Sequence, residues 1–155
     1  MFLLDGRKVK EVGLENLKSK LAKLDKTLTL AVIQIGNDPA SNIYVSNKNK
    51  TATKLGCNFI HIKFDETVEE KEVLEKIDEL NYDEDIDGIL VQMPIPKHLN
   101  ETLIQNRVKS YKDVDGLTDI NAGLLVHNKD SLISCTPHGI LTLLNYFVLK
   151  FHLNA

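Results

Sequence analysis

The chain has 155 residues, 43% of them hydrophobic, enough for one domain with a single core of ordinary proportions. Nineteen Lys and Arg against 22 Asp and Glu give a formal charge of −3 with no basic block, so the phosphate-neutralising footprint of a nucleic-acid binder is missing. No apolar run approaches the roughly 20 residues of a membrane span, and Met1 to Gly6 is too short for a signal peptide, so a cytoplasmic protein is expected.

Cys57 and Cys135 lie far apart and outside any CxxC spacing, which predicts reduced, partly buried and inert thiols rather than a disulfide. His61, His98, His127, His138 and His152 show no ligand spacing, so no metal is expected.

From Lys8 to Leu24, Val9, Val12, Leu14, Leu17, Leu21 and Leu24 recur at intervals mostly of three and four among charged residues, which predicts an amphipathic helix covering one face of a sheet. Leu28 to Ile35 is a nearly continuous apolar run ended by Gly36, the pattern of a strand buried on both faces. Asp38 before Pro39 predicts a helix start, since aspartate caps free amides and proline suits the first helical position. That helix should run to about Leu55 and stop at Gly56.

Phe59 to Phe64 alternates, with Ile60, Ile62 and Phe64 on one side and His61 and Lys63 on the other, as in a strand near a sheet edge. His61 then reads as a surface or packing residue. Through the acidic stretch that follows, Val68, Val73, Leu74, Ile77 and Leu80 keep a helical stripe, so the acids form a solvated face. Ile89 to Met93 reads as a second buried strand, ended by Pro94 and Pro96 because proline lacks the ladder donor.

A helix over Leu99 to Lys109, a long loop through Asp113-Val114-Asp115-Gly116 and a last helix from about Pro137 to Tyr146 complete the reading. Strands alternating with helices predict a three-layer α/β fold with a parallel sheet, whose ligands bind at the strands' carboxyl ends.

Tyr44 and Lys48 are four apart on the predicted second helix, with Ser41 one turn earlier, so they share a face. A lysine acts as a base only when its surroundings bring its pKa well below about 10.4. By spacing alone the pair equally fits an exposed helix face. Gln92, an amide ending an apolar strand, needs partners for its donors and acceptor, which suits a site or structural hydrogen bonding alike.

Asp113 and Asp115 flank Val114 before Gly116, where acids commonly stabilise turns; a functional aspartate would accept from a ligand's amino and ring N–H groups. Gly36-Asn37-Asp38-Pro39 lacks a GxGxxG pattern or a Walker lysine and reads as a helix start without phosphate.

Gly36-Asn37-Asp38-Pro39-Ala40-Ser41-Asn42-Ile43-Tyr44-Val45 leading to Lys48 resembles the G-x-D-P-A-S-x-x-Y-V-x-x-K segment of the methylenetetrahydrofolate dehydrogenase/cyclohydrolase family. Asp87 to Pro96 is similar to its D-G-I-L-V-Q-L-P-L-P, Lys112 to Gly116 with Asn121 and Gly123 to its K-D-V-D-G…N-x-G, and Cys135-Thr136-Pro137 with Gly139 to its C-T-P-x-G.

The resemblance implies Lys48, Tyr44 and Gln92 as catalytic residues, with Gln92 tuning Lys48. It implies Tyr44, Gln92, Asp115 and Ser41 as the folate contacts, Asp115 holding the pterin ring. It further implies NADP-dependent oxidation of 5,10-methylenetetrahydrofolate, hydrolysis of the methenyl product to 10-formyltetrahydrofolate, and a homodimer in the full-length family.

The family's G-R-S-x-x-V-G-x-P nucleotide motif does not occur in this sequence, so NADP binding and hydride transfer are not expected of this chain, and hydrolysis at most is. The expected division is 1–136 as the folate-binding catalytic domain and 137–155 as the start of an interdomain helix with a truncated tail. A catalytically silent folate-binding or interaction module is the alternative. A flavodoxin-like receiver or nucleotide binder fits the βα order but explains neither Gln92 before Pro94 nor Asp115-Gly116.

Overall fold

The computed structural model describes residues 4–147; the expected tail over 148–155 lies outside the described residues. Within them the order is α1 (Gly6–Leu21), β1 (Thr29–Ile35), α2 (Pro39–Lys54), β2 (Asn58–Phe64), α3 (Glu70–Tyr82), β3 (Gly88–Gln92), α4 (Glu101–Arg107), α5 (Asp119–Val126) and α6 (Cys135–Tyr146). The three strands are parallel in the order β2-β1-β3, giving the expected α/β layering.

β1 is central, which explains its unbroken apolar run: each face must be covered. Ala31, Ile33 and Ile35, with Ile89 and Val91 of β3, pack against Val73 and Ile77 of α3 and Ile104 of α4. On the other face Val32 and Leu90 meet Val45 of α2, with Leu30, Phe59 and Val114 around them. β2 is an edge strand, in keeping with its alternation; Ile62 and Phe64 join the first cluster while Ile60 stays largely exposed.

The cap chemistry follows the sequence. Asp38 accepts the Ser41 amide at 2.7 Å with Pro39 in the first turn, and Gly56, at φ +80, follows the end of α2. Asn81, buried near the end of α3, donates to the Arg107 carbonyl at 2.8 Å and accepts the Lys109 amide at 2.9 Å, tying α3 to the end of α4.

Three expectations change. α1 ends at Leu21 rather than Leu24 and buries none of its residues, so it does not seal the sheet. Between its Leu17 and Leu21 and the Leu28, Leu30, Leu55 and Val114 side chains lies an apolar cleft of about 590 Å³. The loop after α4 contains an additional helix, α5, capped by the Thr118 side chain. The last helix starts at Cys135, two residues before the proline expected to open it. No described helix is long and apolar enough to cross a membrane.

Candidate active site

β3 ends at Gln92, and the side chain of Lys48 reaches it from the middle of α2: Lys48 Nζ donates to Gln92 Oε1 at 2.7 Å. Gln92, 8% exposed, is oriented by its own backbone, its Nε2 donating to the Met93 carbonyl at 2.7 Å. With the amide nitrogen committed there, the carbonyl oxygen is the end left to face the lysine. Ser41, one turn before Tyr44 and buried, donates from Oγ to the same Met93 carbonyl at 3.3 Å.

Tyr44, 61% exposed, stands one turn before Lys48 on the wall of the apolar cleft that Lys48 also lines. Its ring is therefore presented largely to solvent along that wall.

Asp115 comes from the loop after α4, and that loop is built to hold it. Gly88 makes room, since a Cβ there would fall 2.5 Å from Val114 Cγ1. The loop then pairs beside β3: the Ile89 amide donates to the Lys112 carbonyl at 2.7 Å, and Ile89 and Asp113 form a parallel bridge. Lys112 is buried, its Nζ donating to the Leu80 and Asp83 carbonyls at 2.9 and 2.6 Å, so it closes the end of α3.

The two aspartates divide the work. Asp113 is buried and accepts the Thr118 amide at 2.9 Å and Asn121 Nδ2 at 3.0 Å. Burial alone would raise its carboxyl, but hydrogen bonds from Thr118 and Asn121 outweigh it and hold the group below the usual carboxylate range. Such a group stabilises the fold above its unfolded pKa, and the contribution is lost as pH falls through the lower folded value. Asp113→Asn is therefore expected to lower the unfolding midpoint near neutral pH, with the gap to wild type narrowing as pH falls from about 5 through the unfolded-chain value near 3.9 and on below it. Thermal melts across that range check it; a gap constant with pH would refute the charge's role.

Cys135 was expected only as an inert, partly buried thiol, and the structure places it beside the candidate site. It is exposed, contrary to the expectation of a partly buried cysteine, because it opens α6 at the rim of the loop. Its sulfur still points inward, donating to the Val114 carbonyl at 3.7 Å. The thiol is pushed up, first by burial of the sulfur and then by the Asp115 carboxylate, while Lys48 pulls the other way. Asp115, Cys135 and Lys48 thus share one neighbourhood. The available signal was the Cys-Thr-Pro segment, noted for its likeness and not for the thiol's chemistry.

The start of α2 keeps no free anion cradle, since the Asp38 carboxylate occupies the Ser41 amide. His61, on β2, is exposed as expected and bonds the side chain of Gln34 at 3.0 Å; burial and then Lys63 lower its pKa.

Parallel strands covered on both faces, with a lysine–glutamine pair at their carboxyl ends, define an α/β domain whose candidate site crowns the sheet. The family model described as "Tetrahydrofolate dehydrogenase/cyclohydrolase, catalytic domain" matches residues 4–115, and the chain belongs to that family.

Among its relatives, a "Bifunctional protein FolD" from Exiguobacterium sp. is 43% identical over 144 residues, covering 91% of this chain and 52% of that protein. The bifunctional FolD methylenetetrahydrofolate dehydrogenase/cyclohydrolase of Campylobacter jejuni superposes with a TM-score of 0.93 at 37% identity, covering 96% of this chain and 54% of the other. A Trypanosoma brucei methylenetetrahydrofolate dehydrogenase-cyclohydrolase, described as complexed with NADP cofactor and inhibitor, superposes at 0.89 with 26% identity, over 95% of this chain and 52% of the other. The chain spans about half the length of the relatives it matches.

Proposed function

We propose that residues 1–136 form the folate-binding catalytic domain of a tetrahydrofolate one-carbon enzyme, with 137–155 as the start of an interdomain helix and its tail. Lys48, Tyr44 and Gln92 are its catalytic residues, and Ser41 and Asp115 complete the folate contacts. The observation that carries this reading is the Lys48–Gln92 pair at the end of β3, oriented by the Met93 carbonyl and set beside Tyr44.

The proposed reaction is hydrolysis of 5,10-methenyltetrahydrofolate. Tyr44 stacks on the ligand's flat surface, and the Asp115 carboxylate accepts from the pterin's amino and ring N–H groups. Gln92 Oε1 holds one N–H of Lys48, leaving the lone pair of the neutral amine for an attacking water. Water oxygen bonds to the methenyl carbon as Lys48 takes its proton. The hydroxyl of that adduct then loses its proton to solvent as the bond from the carbon to N5 breaks, N5 takes the proton back from Lys48, and 10-formyltetrahydrofolate is released.

NADP-dependent oxidation of 5,10-methylenetetrahydrofolate is the partner reaction proposed for the full-length protein, as a cytoplasmic homodimer. NADP supplies the hydride acceptor there. The phosphate-like position in the described residues, the start of α2, is capped by the Asp38 carboxylate, which opposes an anion.

The test is thermal stabilisation by 5,10-methenyltetrahydrofolate or a stable folate analogue. At about a hundred times Kd, binding stabilises the fold by about 2.7 kcal/mol. No shift with folates, or an equal shift with FMN or nucleotides, would overturn the reading. Stabilisation without turnover would identify a catalytically silent folate-binding module.

A further inference from the structure

α2 carries Tyr44 and Lys48, yet it has almost no apolar stripe to set its rotation on the sheet: its buried residues are Ser41, Val45 and Ala52. A helix held by so little apolar contact needs other anchors to aim a side chain. Ser41 is one, bonded to the Met93 carbonyl at the end of β3.

The second comes from β1. Gln34, 1% exposed, is the register partner of Gln92 on the neighbouring strand, so both side chains leave the sheet on the face that α2 covers. Its Nε2 donates to Asn42 Oδ1 at 2.7 Å, and its Oε1 meets His61 Nε2 at 3.0 Å. Asn42 in turn donates from Nδ2 to Asn37 Oδ1 at 3.1 Å, and Lys63 Nζ donates to that same oxygen at 2.7 Å. An amide buried in a central strand costs stability unless it is satisfied, and both ends of Gln34 are.

We propose that Gln34, acting through Asn42, is a positioning residue: together with the Ser41 anchor it fixes the rotation of α2 so that Lys48 meets Gln92. Two adjacent residues of α2 are thereby pinned to two adjacent strands. Lys48 lies six residues beyond Asn42, so a small rotation at the anchors becomes a displaced amine at the site. The inference rests on the reading of Lys48 as the catalytic amine, but its test does not require folate.

The amine held by Gln92 should react more slowly with acetic anhydride than Lys50, which is exposed on the same helix. Site-resolved acetylation rates by mass spectrometry read this in the whole chain. Gln92→Leu, which removes the direct partner, calibrates the effect at about five-fold faster Lys48 labelling, the worth of one hydrogen bond.

Asn42→Ala, a substitution of a half-buried helix residue that does not threaten the core, is expected to raise the Lys48 rate by a comparable factor and leave Lys50 and Lys54 unchanged. Asn42→Asp keeps the acceptor for Gln34 Nε2 and should return Lys48 to the wild-type rate. Gln34→Met should reproduce Asn42→Ala; if it unfolds, the two Asn42 variants decide alone. An unchanged Lys48 rate in Asn42→Ala alongside faster labelling in Gln92→Leu overturns the proposal, and so does a uniform rise at every lysine. Whether methenyltetrahydrofolate slows Lys48 labelling in wild type is a separate arm, whose failure counts against the folate reading alone.

Discussion

Lys48→Met is expected to lower the hydrolysis of 5,10-methenyltetrahydrofolate by about two to four orders of magnitude, the usual range for removing a positioned proton-transfer group. Methionine keeps most of the apolar stem that lines the cleft and deletes the amine. The loss should therefore fall on kcat, with KM changing little, because the proposed ligand contacts of Tyr44 and Asp115 are kept. Stability should fall only modestly, since the group left without a donor is one amide oxygen, at about 1 kcal/mol or somewhat more. Lys48→Arg should fail nearly as completely, because a guanidinium does not give up its proton. Initial rates across a substrate series check this, and a kcat within a factor of about three of wild type would remove Lys48 from the mechanism.

The parts of the fold readable beforehand were those where one local signal had one physical cause. β1 was legible because a central parallel strand is apolar on both faces, and α2 because Asp38, Pro39 and Gly56 mark both its ends. α1 was legible as a helix but not in its placement: its apolar spacing shows a face to be covered without showing what covers it, and that face lines an open cleft. α5 was missed because Asp119 to Val126 makes barely two turns, and its one clear mark, the Thr118 cap, sits inside what reads as a polar loop.

Within the site, the helical spacing of Ser41, Tyr44 and Lys48 was readable, whereas their meeting with Gln92 was not, because 44 residues separate Lys48 from its partner. Likeness to a family supplied that pairing and spacing did not. The split between Asp113 and Asp115 was equally hidden. Two acids flanking a valine look alike until the fold buries one against Thr118 and Asn121 and leaves the other beside Cys135.

Gly116→Ala is expected to be the most destabilising small substitution in the Asp115 loop, at about 3 kcal/mol or more. Gly116 sits at φ +64, where an L side chain alone costs about 1–2 kcal/mol. Its Cβ would also lie 2.5 Å from the Leu132 carbonyl oxygen and 2.8 Å from both the Ile133 carbonyl carbon and the Ser134 nitrogen. These are backbone atoms, so no rotamer change relieves the contact; the 132–134 segment itself must retreat. That segment leads directly into α6 and Cys135, and its retreat would part Cys135 from Asp115. For a chain of this length the cost corresponds to a fall in Tm of about 6–12 °C. Gly123→Ala is the matched control: it lies inside α5 with nothing within 4 Å of the added carbon, so the same chemical change should be neutral or mildly stabilising. Folate affinity, measured well below the variant's midpoint, should fall as well, because Asp115 is the preceding residue in the chain and the loop presents it. A variant with the midpoint of wild type would mean that residues 132–134 yield freely, and the loop would then owe its shape to the Asp113 and Lys112 contacts alone.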